Sequence, residues 1–203
     1  MKVLVFTDLH ADKKAYKILK NKIKKEKPDL LINCGDFTMF GRSIKSWADK
    51  LDFGIKSLVV PGNHESAREI RDLVKGFEYI VDIHKKTKRI NSILFLGAGE
   101  GGFSDELDSL EFSEKKFSEA INKFRKKYPK GKVVLVTHVP PYRTRQDIIF
   151  DEHVGARNVR WFIRDNKIDY SFCGHIHECF KTKDKIGKTI VVNPGDEGMV
   201  FEI

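Results

Sequence analysis

Apolar residues recur along this chain in two rhythms. Short continuous apolar runs mark buried strands, and apolar positions three and four apart mark the inner faces of helices. Residues 3–6 form the first run. Asp12 stands where a helix should open, with Ala15, Ile18, Leu19 and Ile23 along its inner face and Pro28 beyond its end. Residues 30–32 predict a second strand. Ile44, Trp47, Ala48 and Leu51 then mark a short helix, and residues 57–60 a third strand that stops at Pro61 and Gly62. Ala67, Ile70 and Val74 predict a third helix. Residues 79–83 and 93–96 read as short strands joined by a polar turn near Asn91.

The second half follows the same logic. Ser113 is placed to cap a fourth helix, with Phe112 and Phe117 as a hydrophobic staple and Ala120, Ile121 and Phe124 continuing its face up to Pro129. Residues 133–136 are a strong strand, residues 140–151 a polar loop, and Ala156, Val159 and Ile163 a further helix. Residues 170–173, 189–192 and 199–202 close the chain as strands. Strands that alternate with helices early and follow one another late imply an α/β protein with a mixed sheet, or two sheets packed together. No linker, repeat or low-complexity stretch interrupts the 203 residues, so one domain spanning 1–203 is expected.

Composition narrows the class. The chain is 40% hydrophobic and 33% charged, and its apolar runs are far below membrane-spanning length. A strand begins almost at once, which leaves no room for a signal peptide. Three cysteines, Cys34, Cys173 and Cys179, are few and odd in number, which fits reduced thiols and a cytoplasmic setting. The formal net charge of +9 suits an acidic partner, nucleic acid included. Much of that charge lies on helix faces, at Lys13, Lys14, Lys17, Lys20, Lys24 and Lys25, where a solvated surface explains it. Abundant Lys, Glu and Ile with little Gln fits a thermophile.

Five clusters of metal-binding residue types change the picture. They are Asp8 with His10, Asp36 after Gly35, Asn63 with His64 after Gly62, His138, and His175 with His177. Four follow a predicted strand directly, and the fifth follows one through the turn at Pro61 and Gly62. Ligands of open α/β sheets bind at the carboxyl ends of strands, so all five should converge. On a strand that continues, Asp8 and His10 would share a face, as would His175 and His177. Asp36 offers two oxygens with which to bridge two ions.

Imidazoles, carboxylates and one amide without thiolate suit manganese, iron, cobalt, nickel or zinc, with manganese put first. Two such ions generate hydroxide at neutral pH and clamp the oxygens at phosphorus. His64, beside Asn63, is placed to protonate the leaving group. The glycine-rich stretch at residues 97–102 has the wrong spacing for a phosphate-binding fingerprint. His84 lies in a basic turn and His153 just past the polar loop, and both read as structural.

These clusters, in this order, resemble the calcineurin-like metallophosphoesterase superfamily, whose blocks are D-x-H, G-D, G-N-H-[DE], a lone His and G-H-x-H. All five are present between Asp8 and His177. The resemblance implies a four-layer α/β/β/α sandwich with two mixed sheets and a dinuclear phosphoesterase. It implies that Asp8, His10 and His177 hold one ion, that Asp36 bridges, and that Asn63, His138 and His175 hold the other. It places Asp36, Asn63 and His64 in the catalytic set, with His64 contacting the phosphate. Some small relatives replace that His by Cys, and this chain keeps it.

The segments around Pro140 and His153 look like those of a small prokaryotic, largely archaeal, branch. A loop beside the metals carrying Arg143, Arg145 and Arg157 suits bidentate binding of the substrate phosphate, with ordinary surface salt bridging as the alternative. Asn193 and Gly195 look like the family's closing turn, a support for the last hairpin. The chain has no room for a cap, so a shallow, open site is expected. Small phosphodiesters are the expected substrates, with a nuclease or nucleotide phosphohydrolase as the alternative and a non-catalytic scaffold behind both. No stacking aromatic ladder is visible, which ranks nucleic acid lower. The oligomeric state is left open.

Overall fold

The computed structural model of the chain describes residues 1–104 and 106–203. Its first half comprises β1 (Lys2–Phe6), α1 (Lys13–Glu26), β2 (Leu30–Asn33), α2 (Ile44–Leu51), β3 (Ser57–Val59), α3 (Ala67–Leu73) and β4 (Ile80–Asp82). Then follow β5 (Lys86–Ile90), β6 (Ile93–Ala98), α4 (Asp108–Glu111), α5 (Glu114–Lys127) and β7 (Lys132–Thr137). The chain closes with β8 (Ile148–Ile149), β9 (Glu152–His153), α6 (Arg157–Asp165), β10 (Tyr170–Phe172), β11 (Thr182–Ile186), β12 (Thr189–Asn193) and β13 (Met199–Glu202).

Two large sheets result. One has five strands in the order β13-β1-β2-β3-β4, the other six in the order β11-β12-β10-β7-β6-β5. The strand pairs from β1 to β4, and from β12 through β10 and β7 to β6, run parallel. The outer pairs are antiparallel: β13 on β1, β11 on β12 and β5 on β6. Both sheets are therefore mixed.

Strand alternation sorts the apolar residues into three cores. Val3, Val5, Leu30 and Ile32 of the first sheet meet Phe95, Val134, Val136 and Phe172 of the second, in a core between the sheets. Leu4, Phe6 and Leu31 point the other way and pack under Leu19, Trp47 and Ile70 from α1, α2 and α3. Leu94, Leu96 and Leu135 likewise pack under Phe117, Val159 and Phe162 from α5 and α6. Helix, sheet, sheet and helix are thus stacked in four layers.

Several local expectations are corrected. Residues 80–82 and 93–98 are not a hairpin. The lysine-rich β5 lies between them and pairs with β6, while β4 joins the other sheet. Ser113 caps nothing, because the turn of α4 already runs into it with helical dihedrals (φ −108°, ψ −9°), and a cap needs extended backbone there. Phe112 is left 81% exposed, so no staple forms. Ile18 sits on the flank of α1, partly exposed, while Ala15, Leu19 and Ile23 are buried. Asp12 does cap that helix, accepting from the backbone N–H of Lys14 and Ala15. No helix among the described residues is long and apolar enough to cross a membrane.

Candidate metal centre

Every proposed ligand lies just beyond the carboxyl end of a parallel strand. Asp8 and His10 follow β1, Asp36 follows β2, and Asn63 and His64 follow β3. His138 follows β7, and His175 and His177 follow β10. The strands stop before the ligands, however. Asp8, His10, Asp36 and His175 all have left-handed backbone, with φ of +51°, +45°, +55° and +71°. His177 opens a 3-10 turn. Turns, not strand alternation, bring Asp8 to His10 and His175 to His177, which corrects the expectation of a shared strand face. Such backbone is uncommon outside glycine and persists only where its surroundings fix it.

The surroundings here are neighbouring ligand loops. The N–H of Asp8 donates to Gly35 O at 2.9 Å, that of His10 to Asp36 O at 2.9 Å, and that of Gly174 to His138 O at 2.8 Å. Gly35 (φ +105°) must be glycine for a second reason: a Cβ would stand 2.5 Å from the Gly62 nitrogen and 2.9 Å from His138 Nδ1. Asn193, buried in the closing turn, donates from Nδ2 to Ile176 O at 3.0 Å and so ties down the His175–His177 loop. Its role extends beyond the hairpin expected of it.

The donor atoms crowd together. Asp8, His10 and His177 offer atoms within 4.8 Å of one another, as do Asp8, Asp36 and His138, and as do His10, Asp36 and His64. The Nε2 atoms of His10 and His177 stand 3.1 Å apart. Asp8 Oδ2 accepts from Thr7 Oγ1 and from the His175 N–H, and its Oδ1 is buried with no partner among the described residues. His175 Nε2 is likewise buried and unpartnered. Orphaned buried polar atoms are costly, so the bare oxygen and the bare nitrogen each fit a cation ligand. Asp36 Oδ1 is occupied by the His64 N–H at 2.8 Å. Its Oδ2 stands 3.4 Å from His138 Nε2 and 3.8 Å from His10 Nε2. Asp36 Oδ2 is thus the oxygen of that carboxylate that faces the neighbouring histidines.

Electrostatics divides the histidines. Burial pushes the His138 imidazole down. The hydrogen bond and charge of Asp36, with the charge of Asp8, outweigh it and raise the group to about 9. Burial beside that cation lowers His175 to about 4. Burial would raise both aspartates, but contacts with His177 and His138 hold Asp8 below its ordinary value, and His138 and His64 do the same for Asp36. His138 Nδ1 faces Cys34 O at 2.9 Å, which fixes a proton on that nitrogen and turns Nε2 toward Asn63 Oδ1, 2.9 Å away. At His64, the Phe40 N–H donates to Nδ1 at 3.4 Å. A backbone N–H can only donate, so the His64 proton resides on Nε2, 3.9 Å from Asp36 Oδ2.

A profile of the calcineurin-like phosphoesterases matches residues 1–179. The chain belongs to the calcineurin-like phosphoesterase family. This phosphoesterase is 35% identical over 205 residues to an uncharacterized protein of Methanocaldococcus jannaschii, covering 96% of this chain and 88% of that one. Its fold resembles a protein of Thermus thermophilus (TM-score 0.73, 17% identity, 97% and 89% of the two chains covered). It also resembles a dimetal phosphatase from Danio rerio (TM-score 0.65, 10% identity, 95% and 86% covered). The family is dinuclear and metal-dependent, and the clusters just described are its candidate centre here.

Two supporting features were not anticipated. Glu65, buried directly after His64, accepts from the Asp36 N–H at 3.0 Å, the Thr38 N–H at 2.7 Å and Thr38 Oγ1 at 2.6 Å, and so locks the Asp36 loop to the Asn63 loop. Its place in the motif was the only signal. Buried Asp147 organises the loop after His138, accepting from the Arg143, Thr144 and Gly155 N–H groups and facing His153 Nδ1. The structure gathers Arg143 and Arg157 on the ring of Tyr142, at 5.5 and 4.7 Å. Arg145 is held by its backbone N–H to Asp184. A groove of about 610 Å³ between α2 and α3, lined by Ile44, Asp49 and Leu73 among others, contains none of the ligands.

Proposed function

We propose that this phosphoesterase hydrolyses phosphodiesters, acting as one domain on small or accessible esters. The observation that carries the proposal is the convergence of seven donors from five loops beside a histidine whose proton faces them. In this reading Asp8, His10 and His177 would hold one divalent cation and Asn63, His138 and His175 the other, with Asp36 shared by both. Bound there, two cations, manganese foremost, supply an activated water and neutralise charge building on the ester oxygens.

The side chains do the rest. Asp36 positions His64 by accepting its backbone N–H, and the Phe40 N–H fixes its tautomer. His64 Nε2–H is then the group that faces the departing oxygen. Transferring the proton to it, the step a poor leaving group needs most, requires the ring as imidazolium, with Nδ1 also protonated and turned from the Phe40 N–H. Asn63 adds a neutral oxygen without adding charge to a site already holding two carboxylates. Arg143 and Arg157, paired over Tyr142, are assigned to the substrate's phosphate side, where a guanidinium can bind bidentately. His64→Ala should slow cleavage of bis-p-nitrophenyl phosphate by about 10²- to 10⁴-fold, the usual contribution of a positioned acid. An unchanged rate would remove His64 from the mechanism.

A further inference from the structure

Large apolar side chains left in water call for a reason when they collect at one place. Phe40 is 68% exposed and Phe103 73% exposed, although the chain is 203 residues long and has ample core. Each lies against a histidine of the metal centre. The Phe40 ring stacks on His64 at 4.1 Å with 19° between planes, and the Phe103 ring meets His175 at 4.7 Å. A third ring, Phe180, half-buried, lies 5.0 Å from His177. Three phenyl groups from loops far apart in sequence thus edge one site.

Phe40 is also held in left-handed backbone (φ +50°), a conformation unfavourable for a bulky residue. Packing does not require it, since the ring is mostly in water. The strain serves presentation: the N–H reaches His64 and the ring stands at the rim.

We propose that Phe40 and Phe103 are specificity-determining residues that stack the base of a nucleotide-type phosphoester. This rests on the phosphoesterase reading and names its substrate class. The rings are rigid and offer flat faces, which reward a planar π-system over a flexible alkyl group. Stacking of this kind accepts any base, because every base has a π-face.

The test compares ligands that differ only in the base. The manganese-loaded protein should bind 5′-AMP roughly tenfold tighter than ribose 5-phosphate by titration calorimetry, as one stacked base would give. Phe40→Ala and Phe103→Ala should each shrink that preference, and Phe103→Trp should restore it. In turnover, Phe103→Ala should raise KM for a dinucleotide several-fold with kcat kept, and leave a glycerol phosphodiester unaffected. Equal binding of AMP and ribose 5-phosphate, or alanine variants that weaken both alike, overturns the inference while glycerol diester cleavage leaves the phosphoesterase reading standing. A protein that cleaves neither ester refutes that reading, and the substrate class falls with it.

Discussion

Loading of the metal centre should release a proton, and His138 supplies it. The ring is raised to about 9 because it neutralises Asp8 and Asp36 in a buried pocket. A cation at Nε2 needs the neutral ring, so binding competes with that proton. Two pH units below the pKa, about 1% of the rings are neutral, which weakens apparent affinity about 100-fold at pH 7 relative to alkaline solution. Affinity should therefore rise about tenfold per pH unit between pH 7 and pH 9 and level off above. His175, lowered to about 4, is already neutral at pH 7 and adds no proton of its own. Manganese titration calorimetry in two buffers of different protonation enthalpy measures the release directly. Affinity that is flat from pH 6.5 to 8.5, or release far below one proton, would show that His138 is not a cation in the metal-free protein.

Other perturbations test the same construction. Stripping the metal should make stability fall with rising pH: His138 is raised above its ordinary 6.5, so its contribution is complete below pH 6.5 and disappears through pH 9. The span is worth at most about 3 kcal/mol, read as a drop in Tm that the metal-loaded protein does not show. Glu65→Gln replaces one acceptor oxygen with a donor facing Thr38 or Asp36, and should weaken metal binding by about 10- to 100-fold in a chelator competition. Gly35→Ala forces a Cβ against the Gly62 backbone and His138, and should cost about 2 kcal/mol or more in urea unfolding while lowering metal occupancy.

The convergence of the candidate ligands was readable because they stand where a sequence shows function best, directly after apolar runs such as 3–6, 30–32 and 133–136. The two sheets were readable as a class for the same reason. What escaped notice has a common physical origin in edges and loops. β5 and β11, Lys-Thr-Lys-Arg-Ile and Thr-Lys-Asp-Lys-Ile, are edge strands, where lysine discourages pairing with other chains and so hides the strand signal. Ser113 looked like a cap because residue type cannot show that a preceding turn of helix takes its place. The aromatic rim escaped because a search along the chain looks for neighbours, whereas Phe40, Phe103 and Phe180 belong to three separate loops. The glycine-rich stretch that resembled no phosphate loop serves close packing instead, with Gly99 against Pro61 and Gly101 against Val139.

Four of the seven proposed ligands hang from the five-stranded layer and three from its six-stranded companion. A cation pair shared among them would act as a rivet through the sandwich, so the layers could not slide or part without surrendering it. Loss of metal would then register far away, as faster amide exchange in β2 and β7 together rather than as fraying of the loops alone.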